Sequence, residues 1–134
     1  MLKGTGVERA DLSGLRIVKR VSGERIRNER RRRHIRQEDL ALQLGMSPKW
    51  LREIEGGNPG TRLEEHLLVA GTLGLPTAYI GLAILYVMRG AIVPLHVLYE
   101  DVDDLERQCV AMVADKTVRS VAGDLTEGRG GADA

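Results

Sequence analysis

The chain has 134 residues, 43% hydrophobic and 29% charged, with a formal net charge of +1. That length suits one small domain with a single core, and the one cysteine, Cys109, excludes an internal disulfide and fits a reducing, cytoplasmic setting. The small net charge hides an asymmetry: residues 1–62 hold 15 Lys+Arg against 8 Asp+Glu, and residues 63–134 hold 5 against 11, so a polyanionic partner would meet the first half.

Phe is absent and aromatics are scarce, so the core must be Leu, Ile, Val and Ala. No apolar run follows Met1-Leu2-Lys3-Gly4, and no signal peptide is expected. Residues 1–22 read as an N-terminal extension, with Leu12, Leu15, Ile17, Val18 and Val21 set among Arg9, Arg16, Lys19 and Arg20. Two readings stay open for it: a basic arm laid on a polyanion, or a segment covering the thin apolar face of the next helix.

That next helix holds Arg25, Arg27, Arg30, Arg31, Arg32, Arg33 and, just beyond it, Arg36. Ile26 and Arg30 are four residues apart and share a face, so Arg30 points toward the interior. From Gln37 to Glu55 the spacing predicts two short helices around a tight turn at Gly45. Leu40, Ala41 and Leu44 recur at helical intervals before it, and Leu51 and Ile54 after it. Ser47 is a good N-cap and Pro48 suits the first helical position. Such a pair of helices forms a helix-turn-helix unit.

Thr77–Tyr99 is apolar apart from Arg89. Uninterrupted apolar sequence there is shorter than the ~20 residues a membrane span needs, and Gly90 and Pro94 break it. A helix over about 77–88 is predicted instead. Leu95, Leu98, Val102, Leu105, Cys109 and Met112 then follow a 3-4-3-4-3 spacing, an apolar seam on one helix of about twenty residues. With Leu95 at position a, Asp101 and Glu106 fall at g and e and would repel in a parallel dimer. The seam is therefore expected to pack on the 77–93 segment, its own or a partner's. Residues 118–134, with Gly123, Gly128, Gly130 and Gly131, have the composition of a flexible tail.

Motifs for chemistry are missing. His34, His66 and His96 are isolated, no Cys/His cluster has metal spacing, and Gly4-Thr5-Gly6 lacks the residues that would make it a phosphate loop. Glu64-Glu65 and Asp103-Asp104 are adjacent on predicted helices, so their carboxylates diverge. No enzyme activity, metal or cofactor is expected.

The skeleton Ile26-Arg27-x-x-Arg30, Gln37-Glu38-Asp39-Leu40-Ala41, Leu44-Gly45-x-Ser47, Ile54-Glu55-x-Gly57 and Ala70-x-x-Leu73-Gly74-Leu75-Pro76 resembles the Cro/phage-repressor-like (XRE) helix-turn-helix family. The resemblance covers residues 23–80, less than half of the chain, and is specific as a joint pattern. It implies an all-α fold: a five-helix DNA-binding bundle over 23–80, followed here by a helical dimerisation region at 81–117 and the tail at 118–134. It also implies a partly buried ion pair between Arg30 and Glu55.

Carried over residue by residue, the resemblance places base contacts on Ser47, Pro48, Lys49 and Glu53, with Arg52 beside them. Lys49 can donate to guanine and Glu53 can accept from cytosine, while Pro48 offers only an apolar contact. Gln37, Asn58 and Arg62 fall where the DNA backbone is held, and the cluster arginines other than Arg30, Arg36 included, are candidate phosphate contacts. Trp50 has two open readings, buried against the preceding helix or lying along the backbone. Three departures stand out. His34 replaces a Gly that ends helix 1 in a left-handed conformation, Arg36 replaces a Ser or Thr cap, and Glu29 replaces Leu.

The expected function is a dimeric, sequence-specific, double-stranded-DNA-binding transcriptional regulator, a repressor. Its homodimer interface is expected at Ile80, Leu85, Leu95, Leu98, Val102, Leu105 and Met112. Two alternatives remain: an antitoxin whose acidic C-terminal half binds a protein partner, or an interaction adaptor that uses the fold without DNA.

Overall fold

The computed structural model describes residues 8–100 and 102–132. Among these there are seven helices and no strand: α1 (Leu15–Arg32), α2 (Gln37–Gln43), α3 (Pro48–Glu55), α4 (Leu63–Thr72), α5 (Ala78–Met88), α6 (Leu95–Tyr99) and α7 (Val102–Ala132). The all-α class expected from the sequence is observed. Contacts divide the chain into one unit ending at Val102 and a second beginning at Asp103.

Helix α1 is the spine of the first unit. Its buried positions Val18, Val21, Ser22, Ile26 and Arg30 recur at three- and four-residue intervals, the spacing that lines up one helical face. The lower part of that face, Val18 and Val21, packs with Tyr79, Ile80, Ala83 and Val87 of α5 and with Val93 and Leu98. The upper part, Ile26, packs with Leu40, Ala41, Leu51, Ile54, Val69 and Leu73 of α2, α3 and the end of α4. Each fully buried Val, Leu or Ile among them contributes roughly 1.5–3 kcal/mol. Residues 15–22 are thus the first two turns of α1. The expected boundary at residue 22 therefore falls inside a helix.

Five helices end in the same way. Gly45, Gly57, Gly74 and Gly90 have φ near +70° after α2, α3, α4 and α5, and His34 has φ 56° after α1. Each lets the next amide reach back to a carbonyl of the last helical turn: Ile35 to Arg30 (3.1 Å), Met46 to Ala41 (2.9 Å), Asn58 to Glu53 (3.1 Å), Leu75 to Ala70 (2.9 Å) and Ala91 to Tyr86 (2.9 Å). This is the closure that satisfies orphan carbonyls at a helix end. His34 takes the left-handed conformation that the resemblance assigns to glycine, at the steric cost its Cβ imposes.

The C-terminal part departs from expectation. Glu100 is extended and ends α6, so Leu95–Met112 is not one helix and the seam is cut between Leu98 and Leu105. The Arg25 guanidinium donates to the Leu98 carbonyl, occupying a group that a continuing helix would need. Ile80 and Leu98, expected in a dimer interface, are 2% and 0% exposed within the first unit's own core. Leu85 and Leu95 are exposed, Leu105 is half-buried, Met112 is exposed, and the side chain of Val102 lies outside the described residues.

Residues 118–132 continue α7 instead of forming a tail. Asp103 and Asp104 sit in its first turn, where the helix dipole favours acids. Asp115 and Arg119 pair at 3.2 Å across one turn. These local terms offset the roughly 1 kcal/mol that each interior glycine costs.

Candidate nucleic-acid interface

The sequence that sets α3 is local. Ser47 is extended and its hydroxyl accepts from the Trp50 amide at 3.1 Å, and Pro48 follows at the first position, where no amide is needed. The 3.6-residue period then splits the helix into two faces. Leu51, Ile54 and Glu55 are buried, while Lys49, Arg52 and Glu53 are exposed beside half-buried Pro48 and exposed Ser47. Among the described residues, the side chains of Lys49, Arg52 and Glu53 have no hydrogen-bond or ion-pair partner. A donor, a second cation and an acceptor therefore stand side by side in solvent.

The buried face is anchored by charge. Glu55 is 2% exposed and Arg30 8%, and they meet as a two-pronged pair: Nε to Oε2 at 2.6 Å and Nη2 to Oε1 at 2.9 Å. The third donor direction of Arg30 reaches the Ile35 carbonyl at 2.9 Å. The ion pair expected from the resemblance is present. Gln37 joins it by donating to Glu55 Oε1 at 3.0 Å, and Arg27 donates to the Glu55 carbonyl at 3.3 Å. Gln37 is thus drawn inward and half-buried instead of presenting its amide to a backbone phosphate.

Other expected backbone contacts are also engaged within the chain. Arg36 forms a fork with Asp39 at 2.9 and 3.2 Å, replacing the lost helix cap with an exposed ion pair. Arg32 and Arg33 both bond Glu29, and Arg33 also donates to the Leu73 carbonyl at 2.5 Å. This explains Glu29 where an apolar residue was expected: it is the hub of an arginine pair. The bonds from Arg32 and then Arg33 hold its carboxyl down at about 2. Arg25 lies 4.8 Å from the Tyr79 ring centroid and is used on α6. Within the cluster, Arg31 alone is exposed with no partner among the described residues. Of the exposed members of the run, Arg32, Arg33 and Arg36 are thus engaged within the chain. Nearby acids and carbonyls satisfy most of these guanidinium groups.

Trp50 is half-buried against the cluster that includes Leu40 and Leu51, and its indole N–H donates to Glu65 of α4. It packs inward and bridges α3 to α4, so its donor is not offered to a DNA backbone. Glu65 also accepts from the Arg62 amide at 2.8 Å, closing the start of α4. In the intervening loop, Asn58 Oδ1 accepts from the Gly60 amide at 2.8 Å. Arg62 is exposed, with Glu64 and Glu65 at 3.6 and 3.9 Å. Both stay on the surface, at the end of α3 and the start of α4.

Three features here had no packing role assigned from the sequence. Gly23 lies where a Cβ would sit 2.5 Å from the Ile54 carbonyl oxygen, and Gly57 where one would sit 2.6 Å from the Arg20 Cα. Backbone meets backbone at both points; the sequence signal was a glycine inside a helical run for Gly23 and a place in the family skeleton for Gly57. The third is His66, 0% exposed. Thr61 Oγ1 gives its proton to the Asn58 carbonyl at 2.6 Å, so it accepts from His66 Nε2 at 2.9 Å, and Ser22 then donates to Nδ1 at 2.8 Å. The network assigns a neutral imidazole.

Burial, with the Lys19 charge adding to it and Glu65 opposing, pushes His66 down to about 4 from an ordinary 6.5. The unfolded chain therefore takes up a proton before the folded one does. Stability from this site is complete above pH 6.5 and drains as pH falls toward 4, by on the order of 3 kcal/mol. Urea midpoints measured across that window should fall in the wild type and stay level in His66→Gln. A flat wild-type profile refutes the buried neutral assignment. The carboxylates that are held down, Glu29 and Glu65 among them, start to lose their contribution as pH falls through the ordinary 4.5, so the two profiles are compared above about pH 5.

Among the described residues no group of His, Cys, Asp and Glu could hold a metal ion, and no helix is long and apolar enough to cross a membrane. No family model matches the chain, and neither a curated protein nor a solved structure matches it.

Proposed function

We propose that the chain is a sequence-specific double-stranded-DNA-binding transcriptional regulator, acting as a dimeric repressor, with α2 and α3 as a Cro-type helix-turn-helix and α3 as the element entering the major groove. The observation that carries this reading is the outward face of α3. Lys49, Arg52 and Glu53 are exposed and unpartnered there, on a helix locked from behind by Arg30 and Glu55. An element that reads base edges needs free donors and acceptors on a rigid support. The basic balance of residues 1–62 supports the same assignment.

Affinity for duplex DNA should fall steeply with salt, because each neutralised phosphate releases counterions. Lys49→Ala should cost about 1–3 kcal/mol on the preferred site and relax the preference there. Selection from a random-sequence duplex pool, followed by anisotropy titrations of selected and unselected duplexes, measures both. Equal weakening of the two would remove Lys49 from base reading, and flat salt dependence would remove DNA as the partner. Two chains per selected site at saturation is the expected stoichiometry.

The dimer reading rests on apolar surface left open. Ile84, Leu85 and Met88 on α5 are exposed, as are Val110, Met112, Val113, Val118 and Val121 on α7. A helix gains most of its stability from packing an apolar face. The same α7 surface favours the second reading, an antitoxin that binds a protein through its acidic half.

A further inference from the structure

A further set of free cations lies where the resemblance assigns nothing, on the first turns of α1 and just before it. Arg16 and Arg20 are one turn apart, about 6 Å along the axis, and both are exposed. Arg9 precedes them in the segment leading into the helix. Among the described residues, none of the three has a hydrogen-bond or ion-pair partner. This contrasts with Arg25, Arg32, Arg33 and Arg36 further along, which are bonded within the chain.

These turns are fixed against the loop that follows α3. Lys19 Nζ donates to the Pro59 carbonyl at 2.9 Å, and Gly57 approaches the Arg20 backbone closely enough that no Cβ would fit. Between them lies a polar cleft of about 510 Å³, with Arg9, Arg16 and Lys19 along it and Pro59 at its edge. Asp11 also lines the cleft. Its carboxylate accepts from the Ser13 amide at 3.0 Å, and that bond keeps it ionised below the usual carboxylate range. Three cations against one engaged acid leave the recess positive.

We propose that this cleft seats the phosphodiester backbone of the same duplex that α3 reads, with Arg9 and Arg16 as phosphate contacts and Arg20 beside them. It rests on the DNA reading above. The loop carrying Asn58 and Arg62 reaches the backbone in that reading, and Pro59 of the same loop lines the cleft beside Lys19, which bonds its carbonyl. The contact is a matter of charge and position, so it adds affinity to every sequence alike. An acidic protein surface is the weaker fit, because the cleft borders a loop already assigned to DNA.

The test is an anisotropy titration of a labelled mixed-sequence duplex of about 30 base pairs, roughly three turns, over a range of salt. The doubly substituted Arg9→Gln, Arg16→Gln chain should bind on the order of tenfold more weakly near 0.1 M salt. Its logarithmic salt slope should be shallower by about 1.8, since each lost phosphate contact removes about 0.9. Arg9→Lys, Arg16→Lys should keep the wild-type slope. Arg107→Gln, Arg119→Gln removes the same charge from the second unit and should leave the slope unchanged. Thermal melting of the Arg9 and Arg16 variants should match the wild type, as both arginines are exposed and unpaired among the described residues.

An unchanged slope in the first variant overturns the proposal while leaving the DNA reading intact. So does an equal change in the control, which would make the effect one of net charge. Absence of wild-type binding at low salt overturns the DNA reading, and the cleft assignment falls with it.

Discussion

Glu55→Ala should lower the stability of the fold by about 3–5 kcal/mol, the range for removing one side of a buried ion pair. The side chain accepts from both arms of Arg30 and from Gln37. Its loss strands a guanidinium that is 8% exposed, with only the Ile35 carbonyl left to it. Because a domain of this size is stable by only about 5–15 kcal/mol, the variant should sit close to its unfolding transition. Urea denaturation should show a lower midpoint with an unchanged slope. Arg30→Met with Glu55→Leu should recover much of the loss, since an apolar pair of similar volume removes the unpaired charge. A Glu55→Ala loss under 1 kcal/mol would mean that Arg30 swings out to water.

Gly23→Ala is expected to destabilise by about 2–3 kcal/mol, at the upper end for overpacking a tight contact. Helix propensity argues the other way, because alanine inside a helix gains about 1 kcal/mol over glycine. Sterics should win. The added Cβ would lie 2.5 Å from the Ile54 oxygen, 2.6 Å from the Glu55 oxygen and 2.9 Å from the Glu55 carbonyl carbon. All three are backbone atoms, so relief requires α1 and α3 to separate. Gly71→Ala is the control, exposed in the last turn of α4 with nothing within 4 Å of the new atom. It should stabilise by about 0.5–1 kcal/mol. Opposite signs in chemical denaturation verify the contact, and a neutral Gly23→Ala refutes it.

The parts of this molecule that could be read from sequence are those settled by neighbours along the chain. The cap at Ser47, the turn at Gly45 and the inward face of Ile26 and Arg30 follow from local backbone chemistry, and the left-handed residue at 34 from the resemblance. The residues that went astray are settled across the fold. Gln37 turns inward because Glu55 lies there, 18 residues on. Trp50 finds Glu65 on another helix. The seam from Leu95 to Met112 is interrupted at Glu100 with neither glycine nor proline to mark it, while Arg25, 73 residues earlier, takes the Leu98 carbonyl. His66 joins residues from three segments, and no spacing announces such a network. Arginine runs mislead for a related reason. Composition counts charges, and only the fold shows which have been neutralised.

Trp50 is the single tryptophan of the chain, and its ring lies on the joint between α3 and α4 with its N–H held by a carboxylate. The molecule therefore carries its own optical gauge. Indole emission depends on the polarity around the ring and on quenching by neighbouring groups, so its wavelength and intensity register the docking of these two helices without a dye. A ligand closing over the outer face of α3 can be followed in the same signal, as can loosening of the joint on heating.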